Sequence, residues 1–204
     1  MDLEEFSAHQ NIKHRNIDLR FPPGFCIAAV LCLLAIQAFV LYFFGQPLIS
    51  QTHSLMLWAA DVLSAENSQQ LSDWYTASHV IHGFIFYGLL WYFFRRLTIW
   101  QRLALAVGIE VAWEIIENTP LVINYYRQQA LAQGYVGDSI INSISDTLAM
   151  IAGFFFAWRF PILLTIAVGV GLELWVGYWI HDNLFLNILG FAWTPDFIAE
   201  WQSR

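Results

Sequence analysis

The polar side chains best suited to chemistry in this sequence lie at helical spacing inside otherwise apolar segments. Glu110, Glu114 and Glu117 recur at intervals of four and three residues, which places three carboxylates on one stripe of a helix. His79 and His82 are three residues apart, so their imidazoles are neighbours on another helix. Carboxylates and imidazoles inside a helix bundle can bind a divalent metal or divide the roles of general acid and base.

A second polar stripe begins just before a later apolar segment. Ser139, Asn142, Ser143 and Asp146 follow helical spacing, and Asp138 stands directly before them. We expect Asn142 and Ser143 to orient neighbouring carboxylates. The predicted supporting residues are Glu110, Asn118, Arg127, Ser139, Asn142, Ser143, Asp182 and Asn183.

These groups allow two interpretations that the sequence leaves open. The predicted catalytic acids and bases are Glu114, Glu117, Asp138 and Asp146. The predicted metal ligands, for iron, manganese or zinc, are His79, His82, Glu114 and Glu117. The alternative for the histidine pair is structural, with hydrogen bonds to Glu114, Glu117 or Asp146 that join the helices. The Glu-x-x-His signature of carboxylate-bridged metal sites is absent, so no sequence motif shows whether a metal is bound.

Composition indicates the class of protein that positions these groups. Hydrophobic residues make up 58% of the 204-residue chain and charged residues 12%, whereas soluble domains carry about 25% charged residues. The net charge of −7 does not indicate an acidic surface, because much of the acid lies inside apolar segments. Nine Lys and Arg residues form no basic stripe, which argues against nucleic acid as a partner.

The hydropathy pattern predicts an all-α, polytopic transmembrane helix bundle of about five spans. The predicted spans are residues 25–44, 75–94, 103–123, 139–158 and 161–180. Residues 1–20 are predicted to be a cytoplasmic segment, and 21–204 a single membrane-embedded domain whose tail, 184–204, is interfacial or re-entrant. Between the first two spans, residues 55–63 are predicted to form a short amphipathic helix. Four glycines are expected to permit close helix packing: Gly153, Gly169, Gly171 and Gly177.

Basic residues predict the orientation of the bundle. One set of alternate loops contains Lys13, Arg15, Arg20, Arg95, Arg96, Arg102 and Arg159, and the opposite side contains Arg127 and Arg204. The positive-inside rule therefore places the N-terminus in the cytoplasm and the C-terminus in the periplasm of a bacterial inner membrane. With this orientation all the polar stripes fall in the outer half of the membrane and predict one outward-facing pocket.

Four segments carry a resemblance to a known family. They are SDWYTASHVIHGFIFYG (72–88), EVAWEIIENTPLVINYYR (110–127), GYVGDSIINSISDTLAMIAGFFFA (134–157) and HDNLFLNILG (181–190). They resemble small multi-pass inner-membrane proteins of alphaproteobacteria, a family that carries only an uncharacterised-protein label. The resemblance implies a membrane location and supplies no reaction. More loosely, the order of polar motifs is similar to small antibiotic-resistance proteins of the VanZ type, at the level of the fold.

One position departs from the family pattern that this resemblance implies. The family more often has Arg where His181 precedes Asp182 and Asn183. The departure argues against His181 as an obligatory metal ligand and predicts a salt bridge centred on Asp182.

Two functions remain open. The first is an intramembrane enzyme, with or without a bound divalent metal, that acts on a lipid or a lipid-linked envelope molecule. The second is a non-enzymatic membrane protein: a small proton- or cation-coupled carrier, or an assembly partner of a membrane complex. The expected partners are membrane lipids, with a membrane protein or a second copy of the chain as further candidates.

Overall fold

The computed structural model describes residues 21–129, 131 and 134–203, and these residues form eight α-helices and no strand. The helices are α1 (Pro23–Phe43), α2 (Thr76–Phe93), α3 (Ile99–Glu117), α4 (Pro120–Tyr126), α5 (Ile140–Arg159), α6 (Ile162–Ile180), α7 (Leu184–Ala192) and α8 (Asp196–Gln202). The all-α prediction is confirmed. The predicted segment 1–20 lies outside the described residues.

Three of these helices are long and apolar enough to cross a membrane: α1, α5 and α6, with 21, 20 and 19 residues. On α6, apolar side chains such as Leu163 and Tyr178 are 78% and 75% exposed, as expected for a helix that faces lipid. α2 lies within one residue of its predicted bounds, 75–94. Five spans and the orientation of the termini stay predictions.

The prediction of one helix over 103–123 is wrong at both ends. α3 begins at Ile99, where Thr98 and Gln101 form a capping box that satisfies the first backbone N–H groups. It ends at Glu117, because Pro120 lacks the N–H needed to continue a helix. The chain then turns and forms the separate short helix α4.

The segment that joins α1 to α2, residues 46–74, is a loop of turns, and the predicted helix over 55–63 is absent from it. Its backbone groups bond across the loop instead. Met56 N–H donates to Gln70 Oε1 at 2.6 Å, and Ala59 N–H donates to the Ser72 carbonyl at 2.8 Å. The second half of the loop thus accepts from backbone N–H groups that a helix would have satisfied internally.

α2 and α5 cross with their backbones in contact. A Cβ atom on Gly83 would lie 2.2 Å from the Met150 carbonyl oxygen, and one on Gly153 would lie 2.1 Å from the Val80 carbonyl oxygen. Only glycine allows such an approach, so the expectation for Gly153 is confirmed.

The direction of the helices collects the polar residues at one end of the bundle. α2 and α5 run parallel, since Thr76 bonds Asp146 near their starts and Gly83 meets Met150 further along. α3 runs the other way, so the glutamates near its C-terminus lie beside the first turns of α2 and α5. The opposite end is an apolar core of Val30, Leu90, Leu103, Ala106, Val107, Val111, Met150 and Phe154.

Candidate functional site

A carboxylate on α3 joins the two histidines of α2. His79 Nδ1 lies 2.6 Å from Glu110 Oε1, and His82 Nδ1 lies 3.1 Å from Glu110 Oε2. Glu110 is fully buried. As a carboxylate it can only accept, so each imidazole donates from Nδ1 and keeps Nε2 free to act as a base or a metal ligand. This is the arrangement in which a second carboxylate orients metal-binding histidines.

Two more carboxylates approach His79. Its Nδ1 is 3.3 Å from Glu114 Oε1, and its Nε2 is 3.9 Å from Asp146 Oδ2. Nδ1 carries a single hydrogen, and the shorter contact to Glu110 takes it. Glu114 Oε1 is therefore left without a hydrogen-bond partner, although Glu114 is only 1% exposed.

The predicted set of four metal ligands falls into two groups in the structure. One atom each from His79, His82 and Glu110 lie within 4.8 Å of one another, and so do atoms from Glu114, Glu117 and Asp138. The grouping of His79 and His82 with Glu114 and Glu117 is thus corrected: Glu110, predicted only as a supporting residue, is the acid nearest both imidazoles.

Donors from three elements fix the second group. Ser143 Oγ donates to Glu114 Oε2 at 2.6 Å. Asn118 Nδ2 donates to Asp138 Oδ2 at 2.6 Å, and the Tyr135 hydroxyl donates to Asp138 Oδ1 at 2.9 Å. Burial raises the pKa of Asp138 to about 6, although the hydrogen bonds from Asn118 and Tyr135 act in the opposite direction. Ser143 orients a carboxylate, as predicted, and Asn118, predicted only as a supporting residue, does so too.

Two other residues of the α5 stripe hold the 46–74 loop rather than a carboxylate. Ser139 caps the N-terminus of α5 and donates its hydroxyl to the Gln69 carbonyl at 3.0 Å. Asn142 Nδ2 donates to the Gln70 carbonyl at 2.8 Å. The prediction that Asn142 orients a carboxylate is wrong, because its amide donates to a loop carbonyl instead. Their role is to close the polar end of the bundle.

Arg127, predicted as a supporting residue, does not reach the acids of the two groups. Arg127 is exposed, and its Nε donates to the Tyr135 carbonyl at 2.6 Å. No Lys or Arg forms an ion pair with an acid of the two groups in the part of the chain that the structure describes. The groups that contact these carboxylates there are instead histidines and neutral hydrogen-bond donors.

Asp182 lies in the turn between α6 and α7, and neutral donors surround it. The Tyr75 hydroxyl donates to Oδ2 at 3.0 Å, Asn187 Nδ2 donates to Oδ2 at 3.0 Å, and Gln202 Nε2 donates to Oδ1 at 3.1 Å. The salt bridge predicted at Asp182 is absent among the described residues. The neighbouring Asn183 accepts from Leu186 N–H and caps α7.

Asp182 is expected to make the folded protein less stable as the pH rises from about 4 to about 6. Burial raises its pKa from the ordinary value of 3.8 to about 6. The folded chain therefore binds more protons than the unfolded chain in this range, so the free energy of unfolding falls with rising pH, by about 3 kcal/mol in total. Denaturant unfolding in detergent from pH 4 to pH 7 measures this slope.

The matched comparison is Asp182→Asn with Asp196→Asn, since Asp196 is exposed. Asp182→Asn should make the pH profile less steep, whatever its effect on absolute stability, and Asp196→Asn should leave the profile unchanged. An equally steep profile in Asp182→Asn would assign the pH dependence to other groups.

A cavity of about 960 Å³ connects these groups. Its polar wall contains Asp73, Tyr75, Ser78, His79, His82, Glu117, Tyr126, Tyr135, Asp138, Asp146 and Asp182. Its apolar wall contains Val62, Leu63, Ile85, Phe86, Ile109, Trp113, Leu184, Ile188 and Phe191. The described lining includes five acids and no Lys or Arg. Glu110 and Glu114 lie behind this wall.

Two contributions to the site were not predicted from the sequence. Gln37, on α1, donates to Ser143 Oγ at 2.7 Å and accepts from the Thr147 hydroxyl at 3.0 Å, so it supports the residue that binds Glu114. A single amide within the apolar stretch 25–44 was the available signal. Tyr135 binds Asp138 from the α4–α5 connection, for which the sequence offers no periodic signal.

Comparison with known proteins places the chain in a family. The family described as "Protein of unknown function (DUF2585)" matches residues 41–204. The chain belongs to the DUF2585 family. No solved structure matches it.

Relatives of this DUF2585 chain carry the label UPF0314 protein. The one from Rhizobium meliloti (strain 1021) is 49% identical over 177 residues, which are 87% of this chain and 90% of the relative. The one from Sphingopyxis alaskensis is 46% identical and covers 88% and 95% of the two chains. The one from Rhizobium johnstonii is 43% identical and covers 99% and 97%. The predicted likeness to an uncharacterised alphaproteobacterial family is confirmed.

Proposed function

We propose that this chain is a membrane enzyme that binds an amphiphilic molecule, a lipid or a lipid-linked envelope compound, and acts on its polar head with a bound divalent metal. The observation that carries the proposal is that one cavity joins a histidine and carboxylate wall to an apolar wall. With the orientation predicted from the basic residues, this cavity lies in the periplasmic half of an inner membrane.

The dimensions and lining of the cavity support an amphiphile. About 960 Å³ is at the upper end of the range for small-molecule sites, roughly 300–1,000 Å³. Side chains such as Ile109, Trp113 and Phe191 offer an acyl chain an apolar surface. The acids at the other wall are suited to a cation or to hydroxyl groups, and a cation bound there would also attract an anionic head group.

The histidine pair supports a metal next to this wall. His79 and His82 line the cavity, whereas Glu110 lies behind them and accepts from their Nδ1 atoms. The Nε2 atoms are the ring nitrogens left for a ligand, and Asp146 is the acid nearest to Nε2 of His79. Zinc, iron and manganese accept such nitrogen and oxygen ligands. A metal at this place would supply a Lewis acid.

The acids of the cavity wall then have distinct tasks in the proposal. Glu117, Asp138 and Asp146 line the same space as the histidines, where they can accept a proton from water or return one to a leaving group. Asn118 and Tyr135 fix the carboxylate of Asp138. Fixed donors of this kind hold a carboxylate in one orientation and favour its ionised form.

The apolar end of the bundle favours an enzyme over a carrier. A carrier must open its site to both sides of the membrane. Opposite the polar end, residues such as Val107, Met150 and Phe154 are fully buried in one packed core. Opening that end would require the close contact between α2 and α5 to separate.

The proposal predicts about one bound metal per chain, lost when a histidine is removed. We expect plasma mass spectrometry of detergent-purified protein to detect about one equivalent of zinc or iron. His82→Ala should reduce this at least about tenfold. His53→Asn is the matched control, because His53 is exposed, and should retain the metal.

Native mass spectrometry of the same samples tests the amphiphile. A co-purified lipid that is lost when Trp113→Asp charges the apolar wall would support the proposed substrate class. A folded, metal-free protein that takes up no added zinc would contradict the metal-dependent enzyme. Retention of a stoichiometric protein partner with no lipid would instead favour the assembly role.

A further inference from the structure

Three carboxylates meet next to the histidine pair without a basic side chain. Glu114, Glu117 and Asp138 come from α3 and from the residue pair before α5, and one oxygen of each lies within 4.8 Å of the others. Among the described residues, Glu114 is the only one of the three that takes part in an ion pair, and its partner is His79. Three carboxylates at this spacing repel one another unless a cation or protons compensate them.

An unpartnered oxygen points to a cation. Glu114 is 1% exposed, and its Oε1 has no hydrogen-bond partner. Its other oxygen, Oε2, accepts from Ser143. A buried oxygen without a donor is unfavourable, because it has lost its water and gained no partner. Glu114 belongs to the group of three, so a cation held by the group would compensate its buried carboxylate.

We propose that Glu114, Glu117 and Asp138 form a separate binding site for a hard divalent cation of the Mg²⁺, Ca²⁺ or Mn²⁺ class. All its side-chain ligands are oxygens, which suit these ions. The histidine site next to it offers nitrogens and suits zinc or iron. Glu117 and Asp138 line the cavity, so the ion and its waters reach the site from the cavity.

Neighbouring hydrogen-bond donors orient two of the three carboxylates and leave lone pairs free for an ion. Ser143 holds Glu114, while Asn118 and Tyr135 hold Asp138. Each donor fixes a carboxylate that keeps further lone pairs for an ion. The inference deepens the proposed function, and it rests on that function for one point: the cation would let an acidic cavity accept an anionic head group such as a phosphate.

Mn²⁺ is the probe for this site, because its electron paramagnetic resonance signal separates bound from free ion. The full-length protein is first saturated with Zn²⁺ to occupy the histidine site and then titrated with Mn²⁺. We expect about one Mn²⁺ to bind and Mg²⁺ or Ca²⁺ to compete. Glu117→Gln should weaken Mn²⁺ binding at least about tenfold, since it removes one of three charged ligands. Glu200→Gln, at an exposed acid of α8, should bind as the unchanged protein does.

Two readouts separate this inference from the proposed function. In His82→Ala, zinc should be lost and Mn²⁺ binding kept, and the reverse should hold in Glu117→Gln. A rise in Tm of the unchanged protein with Mn²⁺, absent in Glu117→Gln, provides a test that also checks that the variant folds. Mn²⁺ binding that is undetectable, or equal in Glu117→Gln and the unchanged protein, overturns the inference and leaves the zinc result standing.

Discussion

Alanine at Gly83 or at Gly153 is expected to lower the free energy of unfolding by about 3 kcal/mol, the upper end of the usual cost of overpacking. The added Cβ would meet a backbone carbonyl at 2.2 Å or 2.1 Å, far inside van der Waals contact. A backbone atom cannot rotate away, so α2 and α5 must separate. Thermal or denaturant unfolding in detergent measures the loss.

Gly88→Ala is the matched control on the same helix, because a Cβ at Gly88 meets nothing within 4 Å. Its effect should be neutral or stabilising by up to about 1 kcal/mol, from the better helix propensity of alanine. Equal stability of Gly83→Ala and Gly88→Ala would show that the backbones of α2 and α5 are not in contact at Gly83.

Substitution of Glu110 by Gln is expected to cost both stability and metal affinity, although Glu110 does not line the cavity. A glutamine keeps the volume but offers one acceptor where His79 and His82 require two. One buried imidazole then lacks its acceptor, which costs about 1–3 kcal/mol. Loss of the group that orients metal-binding histidines typically lowers metal affinity by about 10–100-fold.

A positioning role for Glu110 has a signature that stability alone does not have. The ¹⁵N spectrum of labelled histidine reports which ring nitrogen carries the proton, and Glu110→Gln should change it for whichever of His79 and His82 faces the new amide nitrogen. Glu200→Gln is the control, since that acid is exposed. An unchanged tautomer and unchanged zinc affinity in Glu110→Gln would reduce Glu110 to a packing residue.

Most helix positions could be predicted from the sequence, because an apolar run of about 20 residues has few other uses. The bounds of α1, α2, α5 and α6 agree with prediction to within two residues. The 46–74 loop could not be predicted in this way. Its conformation depends on bonds to distant groups, such as Ser139 with Gln69, and local spacing does not contain that information.

The location of the site could be predicted from the sequence, but the pairs of side chains that contact each other could not. Helix direction alone indicates that the stripes of α2, α3 and α5 share one end. Periodicity does not reveal which acid of a stripe meets which histidine. Glu110 and Glu114 lie on the same stripe one turn apart, so a small axial shift of α3 exchanges them. The structure selects Glu110 for both imidazoles.

The apolar wall of the cavity is also part of the outer surface of the protein. Ile109 and Ile188 line the cavity and are 47% and 60% exposed, while the 46–74 loop is tied to α5 by Ser139 and Asn142. In the proposed membrane enzyme, an occupant would therefore arrive sideways from the leaflet rather than from water. The rate at which it meets the site would then depend on its mole fraction among the lipids. In mixed micelles, added detergent should therefore slow the reaction even when the bulk concentration of the substrate is constant.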